Sequence, residues 1–338
     1  MKKFIKVYLL QFIPGKIKNF ITWKKDFFKL LLNPWLRLRG EKELFFAESF
    51  VNYWQKLSAE EKNQKIIRLN KAGDNKITDF IITIMQRQEY LMKHEVLEQK
   101  KLFTKEELEE EDEYFKIIKH LKKQLIKYKI SYLSPEAFLN ISGLKVLPEN
   151  EKAKLNNGIF IDAGAFNGDT AIALGLFFKP KMIYAFEPEK NNFEDLSYNA
   201  SICKEAKIIP VKNGLGEKQE IASIKKDGPS SNLEKQNENN ENIDITTIDD
   251  FLSNTNNNEK INLIKTDVEG WESSLLRGAE KTIARWRPIL AISIYHSPED
   301  FFEIKPWLEQ KFPEHNYNFI ITKANPFSLT QEIMLIAF

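Results

Sequence analysis

One segment constrains this chain more than any other: Ile159-Phe160-Ile161-Asp162-Ala163-Gly164-Ala165-Phe166-Asn167-Gly168-Asp169-Thr170. A short run of β-branched and aromatic residues ends in an acid, a small-residue turn follows, and a helical pattern opens at Asp169. That is the strand–turn–helix unit of a parallel sheet covered by helices. Gly164 lets the backbone come close to a ligand, and Gly168 relieves crowding at the helix entry. The G-x-x-x-G spacing is not the dinucleotide fingerprint G-x-G-x-x-G, and the Lys and Ser/Thr of a phosphate-binding P-loop are missing.

The same alternation continues downstream. Met182–Phe186, Ile208–Val211, Ile261–Lys265 and Ile289–Tyr295 read as strands. Asp169–Phe178, Asn191–Ala200 and the stretch from about Trp271 to Ala284 read as helices. The pattern predicts a mainly parallel sheet. A polar insertion at about 213–260 interrupts it, with a hairpin of Glu220–Ile224 against Ile243–Thr246 and no regular structure for Asn254 through Asn258. The chain before residue 148 has a different character. Ile77, Phe80, Ile81, Ile84 and Met85 fall on one helical face, as do Tyr114, Ile117, Ile118, Leu121 and Leu125. Ser134-Pro135 reads as a helix cap with Pro at the first helical position. The expected organisation is a helical region over 1–147 and an α/β domain over 148–338.

Composition sharpens the choice. A net charge of +2 over 338 residues gives no case for a nucleic-acid partner. The single cysteine, Cys203, excludes an internal disulfide framework and a Cys-based zinc site. Residues 1–42, however, hold eleven Lys/Arg against Asp26 and Glu41, interleaved with Phe27, Phe28, Leu30, Leu31, Leu32 and Trp35. This basic, aromatic-rich segment either packs in the helical region or lies on an anionic membrane surface. Lys6 interrupts its apolar run, Pro14–Gly15 ends it without a small-residue cleavage site, and no stretch reaches the ~20 apolar residues of a membrane span. The expected location is the cytoplasm, with peripheral contact at the inner face of the membrane through 1–42. The Asn, Lys and Ile richness resembles proteins of AT-rich bacteria.

Four strand ends carry the chemistry. Asp162 closes the first. Glu187, about twenty residues on in Tyr184-Ala185-Phe186-Glu187-Pro188, stands where Rossmann-like folds place the carboxylate that accepts both ribose hydroxyls. Asp267 and Glu269 follow the strand ending Ile264-Lys265-Thr266, and Glu272 begins the next helix, where negative charge suits the dipole. His296 follows the next strand on the same edge, and Ser297-Pro298-Glu299-Asp300 caps the helix after it. The acids can hold a cationic ligand, act as a base or bind a metal; no resident metal is expected. His296 is the expected base, with Asp267 or Glu269 as its rival.

In order, D-A-G-A-x-x-G-D-T, A-F-E-P, T-T-I-D-D-F-L and I-K-T-D-V-E-G-W-E-x-x-x-L-x-G-A resemble the FkbM family of S-adenosylmethionine-dependent methyltransferases, from about residue 157 to 338. The resemblance implies the class I methyltransferase fold: a Rossmann-like α/β sheet of seven strands, mostly parallel with the last antiparallel, Tyr317–Thr322 and Glu332–Phe338 being the final strands. It implies that the Asp162–Gly168 turn embraces the methionine part of S-adenosyl-L-methionine and that Glu187 binds its ribose. The cofactor contacts expected are Asp162, Gly164, Ala165, Phe166, Asn167, Gly168, Asp169, Thr170, Glu187, Pro188 and Asp267. The reaction implied is O-methylation of a hydroxyl on a small molecule, sugar or glycan precursor. Trp271 stands where the family usually has a small residue. A non-catalytic scaffold of glycan assembly and a nicotinamide-dependent oxidoreductase are the rival functions. The intact acids oppose the first; the glycine spacing and the absence of a Tyr-x-x-x-Lys pair oppose the second.

Overall fold

The computed structural model describes residues 36–38, 40–70, 75–227, 230–235, 241–255 and 258–338. The basic N-terminal segment therefore lies largely outside the described residues. The chain divides into two compact units, Met1–Glu109 and Glu110–Phe338. Among the described residues no helix is long and apolar enough to cross a membrane.

In the first unit, β1 (Leu36–Leu38) pairs antiparallel with β2 (Val96–Glu98). Helices α1 (Glu41–Lys56), α2 (Ala59–Leu69) and α3 (Asn75–Lys93) make up most of the rest. The apolar stripe on α3 is the reason it packs: Ile81, Ile84 and Met85 are buried, as are Phe46 and Phe50 of α1. Ser58 caps α2, accepting the Glu61 N–H while Glu61 reaches back to the Ser58 N–H.

The boundary between units falls within α4 (Lys105–Leu125). Residues 110–147, grouped with the helical region on sequence, thus fall in the second unit. Leu125, Phe138, Leu144 and Leu147 share one core with sheet residues Phe160, Ile183 and Leu263. Ser134 does precede a short helix, Pro135–Phe138, but its hydroxyl does not cap it. The hydroxyl donates instead to Asp169 at 3.2 Å.

The sheet of the second unit contains β3 (Ile159–Ala163), β4 (Met182–Phe186), β5 (Ile208–Val211), β10 (Ile261–Thr266), β11 (Ile289–Ser293), β12 (Phe319–Lys323) and β13 (Ile333–Ala337). Its order is β12-β13-β11-β10-β3-β4-β5. Strands β3, β4, β5, β10 and β11 run parallel, and β13 is antiparallel to both neighbours. Helices α5 (Asp169–Phe178), α6 (Lys190–Ile202), α8 (Glu272–Arg277), α9 (Glu280–Trp286) and α10 (Pro298–Lys311) lie in the connections. The order reverses between β3 and β10, so the carboxyl ends of these two strands flank the point where open α/β sheets bind ligands.

The insertion forms a second sheet, in the order β6 (Gly214–Leu215), β9 (Glu241–Thr246), β7 (Glu220–Asp227), β8 (Ser230–Lys235). The expected antiparallel pair is there, with Ala222 opposite Ile243. Helix α7 (Ile248–Asn254) follows, capped by Thr247. Asp249 on α7 accepts the backbone N–H groups of Lys281 and Thr282, which ties the insertion to the start of α9.

Candidate active site

The turn after β3 is held by backbone donors. Gly164 and Ala165 both donate to the Phe186 carbonyl, at 3.1 and 2.9 Å. Gly164 has φ of 72°, and a Cβ there would stand 1.8 Å from the Asp267 carbonyl oxygen. This close approach of the protein's own backbone requires glycine here, a reason that the sequence did not show. Phe166 adopts φ of 48° and is 52% exposed, an unusual state for an aromatic side chain. Ala165, Asn167 and Thr170 are buried, so of this turn's side chains Phe166 and Asp169 reach the surface.

Glu187 lies across from that turn. Its Oε2 accepts the Phe166 N–H and its Oε1 the Glu189 N–H, each at 2.9 Å. Burial pushes its carboxyl up to about 7, against the pull of those donors. Each oxygen keeps acceptor capacity for a further donor. Pro188 beside it is partly exposed.

Beneath the turn, Asp162 is fully buried and pairs with Lys265, Nζ to Oδ1 at 3.1 Å. The same ammonium donates to the Gly164 carbonyl at 3.0 Å. Burial raises the Asp162 carboxyl above its usual range, with Lys265 opposing. Burial works against the Lys265 charge, but Asp162 and Asp267 outweigh it and hold the ammonium above its ordinary value. Lys265 was not singled out on sequence, although a lysine inside the apolar run Ile-Asn-Leu-Ile-Lys-Thr is a signal that a buried acid awaits it. Glu136, from the segment before the sheet, was missed as well. Burial and the neighbouring Asp169 push it up to about 7.

The other lip is the turn from Asp267 to Gly270. Glu269 and Gly270 both have positive φ, 52° and 97°. Glu272 is fully buried inside this turn. Its Oε1 accepts the Val268 N–H at 2.8 Å and its Oε2 the Gly270 N–H at 2.9 Å. His296 completes the group, with Nδ1 at 2.8 Å from Glu272 Oε1 and Nε2 at 3.5 Å from both Asp267 Oδ1 and Glu269 Oε2. The structure thus brings Asp267, Glu269 and His296 together at one edge, next to Gly164. Ligand atoms of Asp267, Glu272 and His296 lie within 4.8 Å of one another. Glu272 Oε1 already faces the imidazole Nδ1 and the Val268 N–H, so the bond within the trio is between Glu272 and His296.

Burial opposes the charge of His296, but Glu272 first, then Asp267 and Glu269, push the ring up to about 10. That direction favours the imidazolium over the neutral base expected at His296. Asp267 and Glu269, the rival candidates, stand 3.5 Å from its Nε2.

A seven-stranded, mostly parallel sheet with an antiparallel β13, a glycine turn after β3 and an acid after β4 define the α/β class I methyltransferase-like fold. Residues 162–320, all within the C-terminal unit, match the family model for the methyltransferase FkbM domain. Methyltransferase 1 of Beauveria bassiana (strain ARSEF 2860) is 24% identical over 182 residues, 46% of this chain and 72% of that one. Among solved structures, methyltransferase FkbM from Methylobacillus flagellatus KT is similar at 23% identity and a TM-score of 0.43, covering 54% of this chain. The match spans 44% of that structure's own length. Fibrillarin from Aeropyrum pernix, solved with natively bound S-adenosyl-L-methionine, is 13% identical with a TM-score of 0.39 over 61% of this chain and 76% of its own.

Proposed function

We propose that this protein is an S-adenosylmethionine-dependent O-methyltransferase that acts on a hydroxyl of a sugar or glycan precursor, with residues 148–338 as its catalytic part. The observation that carries the reading is the convergence of Asp267, Glu269 and His296 beside the glycine turn, whose Phe166 N–H is held by Glu187. The residues suit the cofactor chemically. Glu187 has acceptor capacity on both oxygens for the ribose hydroxyls. The turn from Asp162 to Gly168, with Phe166, Asp169 and Pro188 at the surface, would hold the rest. The excess of carboxylates at this edge favours a cationic ligand. When bound, the cofactor supplies an electrophilic methyl group on a positively charged sulfur.

The chain's own task is then to align the acceptor hydroxyl and remove its proton. Asp267 or Glu269 receives that proton, while His296 holds the two carboxylates apart and ionised. The direct experiment is methyl transfer from labelled S-adenosylmethionine to glycans of cells lacking the protein. Mass spectrometry should find one methyl group restored on a sugar hydroxyl. Labelling on nitrogen or carbon, or none on any glycan, would overturn the acceptor class.

Location at the inner face of the membrane is part of the same proposal. Full-length protein should float with anionic vesicles at low salt and lose them at high salt, and deletion of 1–42 should abolish flotation. No flotation at low salt would remove the membrane from the reading.

A further inference from the structure

We propose that Glu272 is the positioning residue of this crevice: it fixes the His296 ring so that both ring nitrogens carry protons and Nε2–H points at Asp267 and Glu269. The purpose assigned to it rests on the methyl-transfer reading; the geometry and its test do not.

Glu272 is fully buried and faces three donors. Two are the backbone N–H groups of Val268 and Gly270, at 2.8 and 2.9 Å. The third is His296 Nδ1, at 2.8 Å from Oε1. A carboxylate accepts only, so Nδ1 must carry a hydrogen. At the other end of the ring, Nε2 stands 3.5 Å from Asp267 Oδ1 and from Glu269 Oε2. A lone pair on Nε2 would face two acceptors, whereas a second N–H is attracted to both.

The remaining surroundings agree. Glu272 is on α8, Asp267 and Glu269 are on the turn after β10, and Asp300 on α10 adds its charge to both Glu272 and His296. The Tyr295 ring lies 4.1 Å away and its hydroxyl donates to Glu332. Each of these groups is acidic or neutral. Against the opposing effect of burial, Glu272 first, then Asp267 and Glu269, push the imidazole well above its usual range.

The same carboxylate shapes the turn. Glu269 and Gly270 have successive positive φ values, which aims the N–H groups of 268 and 270 at one point, and Glu272 occupies it. One side chain therefore sets both the imidazole and the two crevice carboxylates. Two neighbouring carboxylates tend to share a proton, which would silence one as a base. An imidazolium held between them favours ionisation of both.

Nitrogen NMR of the full-length protein tests this without any assay of activity. His296 is assigned by difference, using His94→Gln, His120→Gln and His315→Gln. In the wild type, both His296 nitrogens should show the imidazolium signature throughout about pH 6 to 8, where an unperturbed ring titrates. In Glu272→Gln the midpoint should fall into that range, and Glu272→Asp, which keeps the charge, should restore at least part of the shift. A wild-type ring that is a single neutral tautomer, or titrates near 6.5, would overturn the proposal. So would a Glu272→Gln spectrum identical to wild type. Should Glu272→Gln not fold, Asp267→Asn decides. The Nδ1 proton must persist there, since Glu272 holds it, and its loss would assign the ring's state to Asp267 instead. Absence of methyl transfer would refute the functional reading and leave this result standing.

Discussion

Replacing Lys265 with methionine removes the ammonium that faces Asp162 inside the sheet. The two charges are 3.1 Å apart and 3% and 0% exposed. At that separation an effective dielectric of about 20 gives roughly 5 kcal/mol of attraction. Desolvation of the two ions, several kcal/mol each, offsets most of it, so the intact pair contributes little net stability. Half of the pair is another matter. Lys265→Met leaves Asp162 charged and alone, and strips the Ala163 and Gly164 carbonyls of a donor. The expected loss is about 3–5 kcal/mol near neutral pH. Its pH dependence follows from the sign of the shift. The Asp162 carboxyl already lies above its usual range when folded, and without the ammonium it rises further. The folded state then binds a proton that the unfolded chain releases, so the variant regains stability as pH falls toward the ordinary carboxylate value and loses it as pH rises through the folded one. Urea unfolding of the full-length protein, followed in the C-terminal unit, reads the loss. The double variant Asp162→Asn/Lys265→Met should recover most of it. A single-variant loss below about 1 kcal/mol, the range of exposed pairs, would refute the burial argument. So would a double variant no more stable than Lys265→Met.

Gly164→Ala should destabilise the unit by about 2–5 kcal/mol, from left-handed backbone plus the clash with the Asp267 carbonyl, and unfolding measurements with no change would refute it. Glu187→Ala should weaken S-adenosylhomocysteine binding at least about tenfold by calorimetry, through loss of two charge-assisted hydrogen bonds. Because Glu187 is pushed up to about 7, wild-type affinity should rise as pH increases through that value, and Glu187→Gln should remove the trend. The same shift means that folding stability from this group is present below the usual carboxylate range and lost as pH rises through about 7. Glu269→Gln should cut turnover by about 10²–10⁴ with cofactor affinity retained, Asp267→Asn should cut turnover and weaken cofactor binding together, and near wild-type turnover in both would exclude a carboxylate base.

The parallel core of the fold was legible because its strands are short apolar runs bounded by turns, from Ile159 to Tyr295. Strand β8 was not: Ser-Ser-Asn-Leu-Glu-Lys has almost no apolar residue, and it pairs on one side only. The single helix expected from Trp271 to Ala284 is two, separated at Gly278–Ala279, where the distant insertion comes so close that a Cβ on Gly278 would stand 1.9 Å from the Gly216 carbonyl. At the site, Asp162, Asp267, Glu269 and His296 could be grouped because they follow strands of one sheet edge. Glu272 read as an ordinary helix-start acid, since nothing local announces its burial. The upward shift of His296 was hidden for the same reason: its causes are carboxylates from different elements that meet only in the folded chain.

The pairing of β3 with β10 also bears on how the chain emerges from the ribosome. Gly164 and Lys265 are 101 positions apart, so the heart of the sheet waits for a long stretch of synthesis. Until β10 docks, β3 is an open edge beside β4, and an open edge invites pairing with other chains. The buried acid of the finished crevice sits on that edge. Asp162 then serves as an inward charge that discourages such pairing, and Lys265 neutralises it only when its proper neighbour arrives.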